Sequence, residues 1–411
     1  MPSSEATKPR LAVVTPRFPL PLNKGDRLRI HHQLAILHRH FDIDLHCLSF
    51  RTVSDAERES IMDRCDHLTV YRLSWFRALI RMMWAPLSRR PFQVLLFTEK
   101  RLIRDMRQRI LRQHPDVLLA QMVRTAEYVK DFDAVPHVLD IMDTLHAGAE
   151  REAEKSPFWK RPLLLEEGRR LVRYEHRMPN YFDACTIISR QDRDLLPHPD
   201  REAVVIVPNG VNTDFFNPDA AAQPLTGHPG PFDVAFCGNL GYAPNVVAAR
   251  YIVQDIAPAF ESLTGRPLKV LLSGAQPAQS VLALAGRHVE VAANVPDIRS
   301  AYLAAPLFVA PMLVNTGLQN KLLEAMALGR VCITTPRALS AMGKDPGATV
   351  TSAEEPEEFA REIARWLDDE EGRIQMGQEA RQWVAEAFDW TTATATLVAL
   401  LRNHARKGDS A

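Results

Sequence analysis

Twelve short apolar, β-rich runs alternate with helical patterns along the chain, and that alternation predicts an α/β fold built on two doubly wound parallel sheets. Three observations carry the prediction. Many of the runs are continuously apolar and do not alternate, as expected of parallel strands buried on both faces. The length, 411 residues, suggests two or three domains, each large enough to bury a core. Residues 197–231 hold seven prolines and three glycines, the density of a linker with one short strand inside it.

The elements follow in order. Leu11–Thr15, Ile43–Phe50, Leu68–Leu73, Val117–Ala120, Val138–Ile141 and Cys185–Ser189 read as the strands of a first domain over residues 1–195. Val204–Val207 falls in the linker. Val234–Cys237, Val270–Ser273, Val289–Ala292, Leu307–Ala310 and Val331–Thr334 read as strands of a second domain over residues 200–390. Helical spacing is clearest at Asp26–His38, Glu166–Met178, Val246–Phe260 and Lys321–Leu328. Residues 360–405 are mostly helical, and a terminal helix over about 391–411 is expected to rejoin the first domain.

Composition narrows the function classes. Fifty basic and 50 acidic side chains cancel, which argues against a chain that coats nucleic acid along its whole surface. Five scattered cysteines with no CxxC pair fit a reducing compartment, and neither a disulfide framework nor a zinc ribbon. The apolar run Leu11–Val14 is too short for a signal peptide, and no stretch approaches the ~20 apolar residues of a membrane span. The expectation is a cytoplasmic protein. The neutral total hides a pole, however: Arg72–Arg112 carries eleven Arg and Lys residues against Glu99 and Asp105 alone. Charge segregated in this way suits an anionic partner.

The stretch Gly317-Leu-Gln-Asn-Lys-Leu-Leu-Glu-Ala-Met-Ala-Leu-Gly329 follows a strand and opens a helix. Backbone N–H groups at a helix start attract a diphosphate. Lys321 falls in the first turn, where a cation is unfavourable unless an anion is bound nearby. Glu324, four residues after Asn320, could accept hydrogen bonds from ribose hydroxyls. An ordinary capped amphipathic helix would also fit this spacing.

Four segments together carry a resemblance. "NKLLEAMALGR" preceded by "VAP", "VPNGVNTDFFNP" at Val207–Pro218, "FCGNLGYAPN" at Phe236–Asn245 and "FDW" at Phe388–Trp390 resemble, in order and spacing, the family-4 retaining glycosyltransferases with the GT-B fold. The segments "RFPLPLNKGDRLR" and "YEHRMPNYFDACTIIS" resemble a bacterial exopolysaccharide-type branch of that family. The resemblance implies two Rossmann-like domains facing a cleft. The implied reaction moves a sugar, with retention, from a nucleotide-diphosphate donor (UDP- or GDP-sugar) to a hydroxyl of a lipid-linked or polysaccharide glycan. The implied mechanism is front-face, the leaving diphosphate oxygen taking the acceptor proton, without a cofactor or metal. A soluble enzyme decorating a small molecule and a catalytically silent nucleotide-sugar-binding protein are the rival readings.

The same resemblance places donor contacts at Gly210, Gly238, Asn239, Thr316, Gly317, Gln319, Asn320, Lys321 and Glu324. Two departures stand out. Thr316 occupies the position of a second glutamate, and Asn239 with Pro244-Asn245 replaces the Arg and Lys that usually neutralise the diphosphate. Charge must then come from Lys321 and from the Lys24-Gly25-Asp26-Arg27 loop, since a desolvated diphosphate needs cationic or N–H partners. Gly25 and Arg27 are therefore expected at the donor or acceptor, although a Pro-rich surface loop would read the same. In the resembled family a polar residue at the end of the strand matching Val138–Ile141 faces the donor sugar; Asp143, then His146, are the candidates for catalysis. A helix N-cap is the alternative role for Asp143.

Asp42-Ile-Asp44 matches the metal-binding DxD of the other glycosyltransferase fold, but it alternates with Phe41, Ile43 and Leu45 in a strand near the N-terminus. His31, His32, His38, His40, His46 and Cys47 crowd together, but no pair follows a recognised zinc spacing. No metal site is expected. Finally, Trp75, Phe76, Leu79, Ile80, Met83 and Leu87 form one apolar helical stripe, with Arg77 and Arg81 on another side and Arg89 and Arg90 beyond. Such a helix suits an anionic membrane surface, peripheral at the inner face of the plasma membrane; a core helix with a solvated basic face is the alternative. Trp75, Arg77, Arg81, Arg89 and Arg90 are the membrane or acceptor candidates.

Overall fold

The computed structural model describes residues 8–228, 230–314 and 317–408. The chain divides into two compact units, residues 1–208 with 394–411, and residues 209–393.

The first unit holds a seven-stranded sheet of β1 (Arg10–Thr15), β2 (Asp42–Ser49), β3 (His67–Arg72), β4 (Val117–Gln121), β5 (His137–Met142), β6 (Ala184–Ile187) and β7 (Val205–Ile206), in the order 3-2-1-4-5-6-7. The second holds six strands: β8 (Val234–Cys237), β9 (Val270–Gly274), β10 (Val289–Ala293), β11 (Leu307–Ala310), β12 (Val331–Thr334) and β13 (Thr351–Ser352), in the order 10-9-8-11-12-13. Every strand pair is parallel. The continuous apolar runs are thereby explained: β1, β4, β8 and β11 are buried on both faces by the crossover helices.

Reversal of strand order beside the first strand of each unit creates a crevice at the carboxyl edge, where open α/β sheets take their ligands. β1 and β4 flank that point in the first unit, and β8 and β11 in the second. Two helices depart from their expected bounds. The helix read as Glu166–Met178 begins at Arg161, with Pro162 tolerated in its first turn. The one read as Val246–Phe260 starts at Ala243 and passes through a π segment, Ile252–Ile256, into Ala257–Thr264. That wide turn accommodates Pro258, which has no N–H to donate.

Candidate nucleotide-sugar site

At the carboxyl edge of the second sheet, β8 ends at Cys237 and the chain turns through Gly238 and Asn239. Gly238 and Gly274, the last residue of β9, meet backbone to backbone. Gly274 has φ +149°, and a Cβ there would sit 1.6 Å from the Gly238 carbonyl oxygen. Asn239 shapes the turn: its Oδ1 accepts from the Gly241 N–H at 2.9 Å, and its carbonyl accepts from Asn245 Nδ2 at 2.9 Å.

Facing this turn is the helix Asn320–Ala327, entered through Gly317 at φ +91°. Its N-cap, Gln319, makes no side-chain cap, and its first turn contains no acid. Lys321 instead projects there. Its Nζ donates to Asn245 Oδ1 at 2.6 Å and Gln319 Oε1 at 2.9 Å, and lies 5.5 Å from the Phe236 ring centre. Burial pulls the ammonium down to about 8. A cation at the positive end of a helix dipole, hydrogen-bonded to two neutral amides and the Met312 sulfur, is poised for an anion. Asn320 adds a buried side-chain oxygen, Oδ1, with no hydrogen-bond partner among the described residues.

One turn on, Glu324 Oε2 accepts from the Tyr302 hydroxyl at 2.6 Å. Burial raises the carboxyl above its ordinary pKa, with Tyr302 and Lys321 opposing. Oε1 keeps no hydrogen bond among the described residues. Tyr302 therefore fixes the carboxylate and leaves one oxygen for a ligand hydroxyl. Gly238, Asn239, Gln319, Asn320, Lys321 and Glu324 thus share one edge of one unit, and Tyr302 and Asn245 join them.

Other candidates fall elsewhere. Thr316 lies outside the described residues. Gly210 has a packing role: a Cβ would approach the Trp390 Cα and ring at 2.7 Å. In the first unit, Gly25 opens the helix Gly25–Leu37, and nothing lies within 4 Å of where its Cβ would be. No protein neighbour there demands glycine. Arg27 turns back to Asn23 Oδ1 at 2.9 Å, while Arg17 pairs with Asp26. Lys24 is held below its usual pKa chiefly by Arg17, so positive charge is concentrated at this loop.

β5 carries a register shift between Asp140 and Met142, and Met142 has φ +69°, a left-handed conformation that turns the chain sharply at the strand end. Asp140 is spent on structure, accepting from buried Arg29 at 2.8 Å and from Thr186 at 2.8 Å. Asp143, beyond the turn, keeps solvent-accessible surface. Surrounding protein and the acids Asp192 and Glu175 nevertheless push its pKa up to about 6, against Arg124. The N-cap of the next helix, Leu145–Lys155, is Thr144, so Asp143 does not cap it. His146 Nδ1 meets Glu175 Oε2 at 2.5 Å, and the Leu145 N–H donates to the other Glu175 oxygen at 2.7 Å. That contact raises the imidazole's pKa and orients Nε2. Glu175, 29 residues away, lies in the segment that begins Tyr174-Glu175-His176, but nothing in the sequence ties it to His146.

Asp44 and His46, two of the residues that resemble metal ligands, are partnered within the protein. Buried His46 sits between Asp44 Oδ2 at 2.9 Å and the Tyr71 hydroxyl at 3.0 Å, and Asp42 is exposed at the start of β2. Among the described residues no three His, Cys, Asp or Glu side chains group as a metal site. The basic segment needs a correction. Trp75, Phe76, Leu79 and Met83 face solvent from the helix Trp75–Met83, whereas Arg81 turns inward, donating to the Leu95 and Leu96 carbonyls and pairing with Glu99. Arg77 also meets Glu99 and Arg90 meets Glu127, because these nearly buried carboxylates need cations; Arg89 stays exposed. The core-helix alternative is excluded, since the apolar stripe is outside.

Two Rossmann-like α/β domains with these strand orders define the GT-B fold of glycosyltransferases. Residues 231–369, about a third of the chain and wholly in the second unit, match the family described as glycosyl transferases group 1. Among solved structures the chain is similar to a glycosyltransferase from Rickettsia africae ESF-5 (TM-score 0.65, 12% identity, 96% of this chain and 98% of that one). It is equally similar to a sucrose-phosphate synthase from Thermosynechococcus elongatus (0.65, 13%, 96% and 98%). Anabaena HepE, solved with UDP and glucose, follows at 0.62, 13%, 96% and 100%. No curated protein sequence matches.

Proposed function

We propose that the chain is a family-4-type retaining glycosyltransferase that moves a sugar from a UDP- or GDP-sugar to a hydroxyl of a lipid-linked or polysaccharide glycan, as in exopolysaccharide assembly. The observation that carries this reading is the pairing of Lys321, held by neutral partners at an uncapped helix start, with Glu324, fixed by Tyr302 and open at Oε1. The glycosyl transferases group 1 match over the same unit and the UDP complex of HepE support it.

In this reading Glu324 Oε1 accepts from ribose hydroxyls. Lys321 and the first N–H groups of the helix meet the diphosphate and stabilise it as it leaves, and the leaving oxygen takes the acceptor proton. Charge developing there is met by preoriented donors, so the step needs no metal. Asp143 and His146, the latter oriented by Glu175, are the catalytic candidates that the first unit carries. A lipid-linked acceptor is favoured over a small soluble one by the exposed Trp75, Phe76, Leu79 and Met83, which suit docking at the cytoplasmic face of a membrane. Among the described residues no helix is long and apolar enough to cross one.

A thermal-shift panel of UDP-, GDP-, dTDP- and ADP-sugars tests the reading. A donor at a hundred times its dissociation constant stabilises the protein by about 2.7 kcal/mol. The shift and the turnover both persist in EDTA. No shift with any of the four, or activity lost in EDTA and restored by Mn²⁺, removes it.

Lys321 sets a pH dependence. Only the ammonium form binds the diphosphate, and its pKa in the free protein is about 8. UDP affinity is then level below neutrality and falls as pH rises through that value, by about tenfold at pH 9. Calorimetry across this range reads it. A level profile for wild type, or the same slope in Lys321→Met, places the diphosphate elsewhere.

A further inference from the structure

We propose that a basic basin in the first unit, lined by Arg72, Arg77, Arg101, Arg104 and Arg109, binds the phosphate or diphosphate headgroup of a lipid whose chains lie along the outer face of the Trp75–Met83 helix. The proposal deepens the membrane-acceptor part of the function above and does not depend on sugar transfer.

The basin encloses about 550 Å³. Its two acids are already engaged: Glu99 with Arg77 and Arg81, and Asp105 with Arg109 at 3.1 Å. The side chains of Arg72, Arg101 and Arg104 make no ion pair or hydrogen bond among the described residues. Like charges gathered around a concavity repel one another, and an anion entering it relieves that repulsion. Guanidinium is also the side chain whose fork of N–H donors matches phosphate oxygens. Arg72 ends β3 at the carboxyl edge of the sheet, the edge where such sheets take ligands. Arg101 and Arg104 stand in the first turns of the helix Lys100–Gln113, which has no side-chain cap and no acid in its first turn, so its N–H groups add to the positive field.

The surface beside the basin is apolar. Trp75 stacks on Phe50 with ring centres 4.1 Å apart and is still 62% exposed; Phe76 is 73% and Leu87 80% exposed. Arg170 of the helix Arg161–Arg177 donates to the Ala85 and Arg90 carbonyls, tying that helix to the same segment. The turn leading into it carries exposed Phe158 and Trp159 beside Lys160 and Arg161. Aromatic side chains interleaved with cations, next to a cation-lined concavity, match an anionic lipid surface and its phosphate. An acidic protein would complement the charge but leave the aromatic rim unmatched.

Flotation of the full chain with phosphatidylcholine vesicles, plain or doped with phosphatidic acid or phosphatidylglycerol at equal charge, tests the proposal. Wild type floats with phosphatidic acid more strongly than with phosphatidylglycerol, and inorganic diphosphate releases it. The triple variant Arg72→Gln, Arg101→Gln, Arg104→Gln binds these vesicles roughly a hundredfold more weakly, with circular dichroism unchanged. Phe76→Glu abolishes flotation but still binds inorganic diphosphate. The proposal is overturned by wild type that does not float, by equal binding to both anionic lipids without displacement by diphosphate, or by a folded triple variant that floats like wild type. The UDP- and GDP-sugar thermal shift, read on the same samples, is unaffected in the triple variant. Flotation without any such shift would overturn the sugar-transfer reading and leave the basin standing.

Discussion

Glu324→Gln lowers affinity for the nucleotide donor about tenfold while the protein remains folded. The substitution keeps the shape and an oxygen to accept from Tyr302 at the present 2.6 Å, but removes the charge that strengthens the hydrogen bonds at Oε1. Bonds to a charged group contribute roughly 1.5–3 kcal/mol each, against about 1 for neutral ones. Glu324→Ala loses more, on the order of a hundredfold, and strands the Tyr302 hydroxyl in a buried setting, which costs about 1–3 kcal/mol of stability as well. Calorimetric titration with UDP and GDP separates the two effects. Unchanged affinity in a folded Gln variant would take Glu324 out of the site.

Gly274→Ala costs roughly 3 kcal/mol or more of stability, combining a disfavoured backbone conformation with overpacking. At φ +149° only glycine is comfortable, and the new methyl would fall 1.6 Å from the Gly238 carbonyl oxygen. That oxygen is main chain, so the turn carrying Asn239 must move, and with it Asn245, the partner of Lys321. Loss of nucleotide binding is expected to accompany the loss of stability. A urea midpoint and UDP affinity equal to wild type would show that the two strand ends are not packed as described.

Local signals were enough for most of this architecture. The strands announced themselves because parallel strands covered on both faces are apolar at every position, as in Val234–Cys237 and Leu307–Ala310. The two-residue strand β13 was missed, since its residues, Thr351 and Ser352, bury nothing distinctive. Lys321 and Glu324 stood out for the same local reason: one helical turn carries both. Their pairing with Tyr302 and Asn245 did not, because these residues come from other elements, 22 and 76 residues away. Glu175 and His146 are joined in the same way.

The helix Trp75–Met83 shows the sharper limit. Its two-sidedness is written in the spacing, but which side meets the protein is not. Buried Glu99 drew Arg81 inward, small Ala78 allowed the close approach, and the aromatic stripe was left outside. A rule that apolar faces turn inward gets this helix backwards, and the reversal is what exposes the surface next to the arginine basin. Gly25 and Gly210 make a related point: one glycine has no packing reason in the protein, and the other is required by Trp390.

Proton NMR of each nucleotide sugar, incubated with the full chain and a lipid extract as acceptor source, tests the central claim most directly. The expected result is consumption of one donor with release of its nucleoside diphosphate, and a new anomeric signal whose configuration matches that of the donor. The same consumption is expected with EDTA present, and it is strongly reduced in Glu324→Ala. A donor that binds but stays intact, or a product of inverted configuration, would contradict a retaining glycosyltransferase.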